Sequence, residues 1–173
     1  MYERLSRMAV SSARVVDPDT VAGAVTVGPL PPGFVIDLGA PGMGLFDLFL
    51  GPPVAHGEFR DNVVVGLTRF VVDATVDVND IFDDAFTEAR GLPEWIEQRA
   101  DRGLVGGRTQ GATLQAGNYR DAAGRRLHTV TKYEAYQRGN VVYFLQCTGT
   151  TASDDVALWS SLVHTVHSAR LDD

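Results

Sequence analysis

ATLQAGNY at 112–119, TVTKYEAY at 129–136 and VVYFLQCT at 141–148 are three strand-like runs in succession, and DDVALWSSLVHTVHSAR at 154–170 closes the series as a helix. The runs are rich in β-branched and aromatic residues, which suit a pleated, partly buried surface. RDAAGRR at 120–126 separates the first two, and Arg138-Gly139-Asn140 is a tight turn between the second and third. Strands joined by turns this short are antiparallel neighbours. In the closing segment Val156, Trp159, Leu162, Val163, Val166 and Ala169 recur at helical spacing and predict a buried stripe. Ser153 is the expected cap, with Asp154 and Asp155 in the first turn.

Working back toward the N-terminus, GLVGGRTQG at 103–111 is a glycine-rich connection, and 93–102 is a second short turn carrying Trp95 and Ile96. Val78, Ile81, Phe82, Ala85, Phe86 and Ala89 form one helical stripe, opened by acidic residues and ended by Gly91 and Pro93. NVVVGLTRFVV at 62–72 is apolar on both of its alternating faces, as a central strand covered on both sides would be. GFVIDL at 33–38 reads as a strand, and residues 24–27 as a short edge strand. Leu45, Phe46, Leu48, Phe49 and Leu50 lie between Gly/Pro clusters. A run this short fits a buried strand or an apolar flap over a groove. Residues 1–14 are expected to be a loosely attached lead, and 15–173 one domain. The fold class is α+β, an antiparallel sheet with helices packed on its faces.

A chain of 173 residues with 45% hydrophobic and 21% charged residues can bury a core without disulfides or a structural metal. The net charge of −7 argues against a polyanion partner, so no nucleic acid is expected. The charge is uneven: 77–101 is acidic and 102–138 is basic, which fits two solvated faces or an electrostatically paired interface. Cys147 is the one cysteine and sits in an apolar strand, where a thiol behaves as a small hydrophobe. No run is long enough to span a bilayer, and no leader precedes a lipidation cysteine. The location expected for the chain as given is therefore cytoplasmic, or envelope-associated if a leader has been lost. Fourteen arginines stand against one lysine, a ratio typical of a GC-rich genome.

Motifs that carry chemistry are missing. The glycine-rich 103–111 lacks the Gly-Lys-Ser/Thr of a phosphate loop and leads into a strand, without the helix dipole such a loop uses. His164 and His167 are three apart on a helix, but zinc needs at least one more ligand, and neither His56 nor His128 is placed to supply it. Asp83 and Asp84 are adjacent and point to different sides of a helix, so they are not an acid–base pair. No nucleophile elbow, Cys-x-x-Cys or His-Glu-x-x-His occurs. Tyr133, Tyr136 and Tyr143 could share an aromatic patch, a binding face if exposed.

Asn62-Val63-Val64-Val65 ahead of the acidic-capped helix, Gln115-Ala116-Gly117-Asn118-Tyr119, and the stretch from Val141 to Gly149 resemble the LpqN lipoprotein family of actinobacteria over roughly residues 30–170. The resemblance implies a PsbP-like layered α/β/α fold, shared with the Ran-binding Mog proteins. It also implies a non-enzymatic accessory, adaptor or cargo-binding role, and carries over no catalytic residue.

Three functions follow as expectations. The first is an adaptor or chaperone-like domain that recognises a protein partner, or a second copy of itself, through the sheet face and loops. Its contacts are Leu45, Phe46, Phe49, Tyr133, Tyr136 and Arg138. The second is a carrier of a lipid-like small molecule in a cavity lined by Phe34, Phe82 and Phe86. The third is an enzyme with an unfamiliar site. No cofactor or metal is expected.

Overall fold

The computed structural model describes residues 6–17, 25–73, 82–103 and 111–171. In chain order these form β1 (Ala9–Val15), β2 (Val25–Thr26), β3 (Val35–Ile36), β4 (Asp47–Leu50), β5 (Asn62–Val72), α1 (Thr87–Arg90), β6 (Ile96–Arg102), β7 (Gly111–Arg120), β8 (Arg126–Arg138), β9 (Val141–Thr151), α2 (Val156–Ser168) and β10 (Arg170–Leu171). One sheet runs β3-β4-β5-β9-β8-β7-β6, and every described pairing in it is antiparallel. β1 and β4 share one edge of β5: β4 pairs with residues 62–65, and β1 with the half from Leu67 to Val72.

β5 is central because both its faces are apolar, and each face anchors its own core. Successive side chains of a strand point to opposite faces. Val63, Val65 and Leu67 therefore join Leu145, Cys147, Val130, Leu114 and Ala116 on one face, covered by Leu162, Val166 and Ala169 at the end of the chain. Phe70 and Val72 join Val142, Phe144, Tyr133 and Ala135 on the other, under Phe82 and Ala85. On this second face Tyr133 stacks on Phe144 at 5.5 Å, and Phe70 meets the same ring edge-on at 6.5 Å.

The β8–β9 turn holds Gly139 at φ +61°, and no non-glycine there has a positive φ. That is the pattern of a II′ hairpin, whose twist matches the flanking strands. α2 starts at Asp155, whose carboxylate accepts from the Ala157 N–H at 2.8 Å. Ser153, the expected cap, lies two residues earlier and accepts from the Asp155 N–H at 3.1 Å. Leu162 and Val166 are buried as the stripe requires, but Val156 is 78% exposed, because it precedes the turn that first meets the sheet. After α2, β10 pairs with β2 in a separate two-stranded ribbon.

Three further expectations change. Part of the lead, Ala9–Val15, is a sheet strand whose Val15 enters the core. Residues 93–102 hold the seven-residue edge strand β6 in place of a turn. Of the helix read over 78–89, residues 78–81 lie outside the described part. The rest is a 3-10 turn at 82–84 and a single helical turn at 87–90. Phe and Asp are modest helix formers, and tertiary packing of Phe82, not helix propensity, fixes this stretch.

Candidate partner-binding face

The polar chemistry of the helix-covered face begins at Lys132, the chain's one lysine. β8 presents alternate residues to this face, so Val130, Lys132, Glu134, Tyr136 and Arg138 point the same way. α2 crosses the sheet over Val130 and Gly149, where an added methyl would meet Val166 at 3.2 Å. It ends above Lys132, whose ammonium donates to the carbonyls of His167, at 3.1 Å, and Ala169. The free carbonyls at a helix C-terminus attract a cation, so Lys132 caps the helix from the sheet. Glu134 balances that charge at 2.9 Å and accepts from the Leu171 N–H at 3.3 Å, fixing β10.

α2 ends above Lys132, short of the two rows of this face that follow Glu134. Register places Arg69 of β5 opposite Tyr143 of β9, and Tyr143 opposite Tyr136 of β8. The final row is Val71, Val141 and Arg138. Opposed side chains in such rows stand roughly 5 Å apart at Cβ. β1 borders the rows with Ala13 and Ser11, too short to cover Arg69. Among the described residues, pairing with β7 begins at Gly111–Ala135, one position short of Tyr136. Arg69, Tyr143 and Tyr136 are half-buried, and Arg138 is exposed. Neither Arg69 nor Arg138 makes an ion pair with a described residue, whereas Arg90, Arg99, Arg102, Arg120 and Arg125 each hold a carboxylate.

The residues singled out in the sequence divide between surfaces. Tyr136 and Arg138 share this platform, whose Tyr143 also packs against the helix-side core. Tyr133 is one residue out of phase with Tyr136 and points to the other face. There it is buried on Phe144, with its hydroxyl 3.4 Å from Glu88. Burial and that carboxylate push its pKa up, so it is a packed side chain. Leu45, Phe46 and Phe49 belong to the entry and body of β4. Phe46 is buried, and Phe49 packs on the same core, so the apolar run is a sheet strand and not a flap. The exposed apolar side chains of this hairpin stand across from it: Ile36 (52%) and Leu38 (86%), with Val35 and Met43. Phe34, Phe82 and Phe86 do not line one cavity. Phe34 packs in the helix-side core, and Phe82 and Phe86 pack in the core on the opposite side of the sheet.

Tyr143, already grouped with Tyr136 across the Arg138-Gly139-Asn140 turn, stands opposite it, whereas Arg69 was missed because the pairing of β5 with β9, which the sequence leaves open, sets it beside Tyr143. The opposite face carries cross-strand threonine pairs, Thr129 with Thr150 at 3.3 Å and Thr131 with Thr148 at 3.0 Å. Cys147 is buried and its thiol is pushed up to about 12, chiefly by burial. Among the described residues no group of three His, Cys, Asp or Glu side chains is placed to hold a metal. No described helix is long and apolar enough to cross a membrane.

No protein-family model matches the sequence, and no curated protein matches it. The structure is similar to that of LpqN of Mycobacterium tuberculosis, described as involved in cell envelope biogenesis. The TM-score is 0.76, with 16% identity over the whole of this chain and 97% of LpqN. A point mutant of Mog1 aligns at a TM-score of 0.41 and 14% identity, over 95% of this chain and 97% of Mog1. The first similarity establishes a shared fold.

Proposed function

We propose that this protein is a non-enzymatic accessory domain of the LpqN-like, PsbP-like layered fold, which holds a protein partner on the sheet rows beyond α2. The observation that carries this reading is the row Arg69–Tyr143–Tyr136 with Arg138 beside it. Tyrosine and arginine are the side chains enriched at the energetic centres of interfaces, because each combines apolar area with a polar tip. Here they stand on rigid central strands, so little conformational freedom is lost on binding. The fold shared with LpqN, a protein of cell envelope biogenesis, supports an accessory role.

The experiment is co-purification from the source organism with a Tyr136→Ala, Tyr143→Ala double variant beside the parent. The reading expects a stoichiometric partner, or a second copy, that the variant loses while it still unfolds cooperatively, at a lowered melting temperature because Tyr143 packs against the core. A partner retained by the folded variant would move the interface elsewhere, first to the exposed edge at Val35, Ile36 and Leu38.

A further inference from the structure

Resting on that reading of the platform, we infer that the segment it holds is an acidic stretch of the partner, seated with carboxylates between Arg69 and Arg138. The argument is charge complementarity. The net charge of −7 opposes polyanions in general, so the attraction is local to this face: five other described arginines are tied to carboxylates of the same chain. Arg69 and Arg138 are not, and they flank two tyrosines on adjacent rows of one face. Glu134, the carboxylate nearest along β8, is held by Lys132 and the Leu171 N–H. A guanidinium offers paired N–H donors that match a carboxylate, and tyrosine rings supply the apolar bed for the stem of Asp or Glu. Arg69 and Arg138 stand two strands apart on adjacent rows, so the occupant is an extended segment, whose alternate residues point one way and carry acidic groups to both.

The test is fluorescence anisotropy on the intact protein. The probe is a labelled dodecapeptide of alternating glutamate and serine, with a glutamine-for-glutamate counterpart as control. The acidic peptide is expected to bind saturably and the amide peptide at least about fivefold more weakly, the effect of one exposed charge pair. Arg69→Gln and Arg138→Gln are each expected to weaken the acidic peptide about fivefold and leave the amide peptide unchanged. Raising salt from about 50 mM to about 300 mM should weaken the acidic peptide alone, because exposed charges are screened over that range. Equal binding of the two peptides, or no saturable binding, overturns the inference. So does binding of inorganic phosphate or anionic phosphatidylserine vesicles, lost in Arg69→Gln, where the acidic peptide fails. Should these outcomes occur while the tyrosine double variant still loses its partner, the platform stands and only its acidic occupant is wrong.

Discussion

Lys132 shows how one side chain fastens an element. Its stem crosses the core floor, and its ammonium meets two helix-end carbonyls and Glu134, with both charged side chains almost wholly buried. Removing one partner of such a pair leaves the other charge unmatched, so Lys132→Met should cost about 3–5 kcal/mol. Urea unfolding checks this, and a Lys132→Met, Glu134→Leu double variant should recover much of the loss. A near-neutral single variant would show that the cap carries little. The Cys147 thiol, pushed up to about 12, should resist a disulfide reagent at about pH 8 until the protein is unfolded. His167 is shifted down, first by burial and then by Lys132. The unfolded chain therefore binds the extra proton first, and stability declines as pH falls below the ordinary histidine value, about 6.5. Thermal melts of His167→Gln should show a weaker acid decline over that window. At this scale the sequence revealed residue types more than partners. It marked Cys147 as an inert hydrophobe, but nothing local marks Lys132 as a helix cap, because its carbonyls lie thirty-five and thirty-seven residues away.

The elements were legible where their periodicity is undivided. The last three long strands and α2 follow from alternation and a helical stripe, and the Arg138-Gly139-Asn140 turn follows from glycine's freedom at φ +61°. β6 was not legible. Its sequence, IEQRADR, has no apolar alternation because it is an exposed edge strand, and edges are kept charged against further pairing. The stretch before it packs Trp95 against Gly117, where an added methyl would sit 2.6 Å from the indole and 2.5 Å from the Ile96 carbonyl oxygen. Gly117→Ala should therefore destabilise by about 1–3 kcal/mol through overpacking, measurable by urea unfolding. Asp155→Ala should cost about 1 kcal/mol by removing the carboxylate that caps α2, and Ser153→Ala less, because Ser153 bonds the N–H of the cap residue.

Across the whole molecule, the sheet makes two unlike faces from strands that alternate side chains. One core lies under α2 and the other under Phe82 and Ala85. The antiparallel α+β class was readable from order and turn length, but the strand order was not, and of the helices expected on both faces only α2 is a long one among the described residues. That β1 and β4 share an edge of β5, and that Arg69 stands beside Tyr143, are products of long-range pairing. The same parity separates Tyr133 from Tyr136 and Phe34 from Phe82, so a candidate site drawn from residue type alone mixed the two faces. Past the end of α2 the described residues of the helix-covered face are Arg69, Tyr143, Tyr136 and Arg138, and the central claim is that a partner sits there. The direct measurement is photo-cross-linking with a benzoylphenylalanine at position 136, beside one at position 131 on the opposite face, in the source organism. The account predicts one discrete adduct from position 136 and none from position 131. An adduct from 131 alone, or none from either in a folded protein, would contradict it.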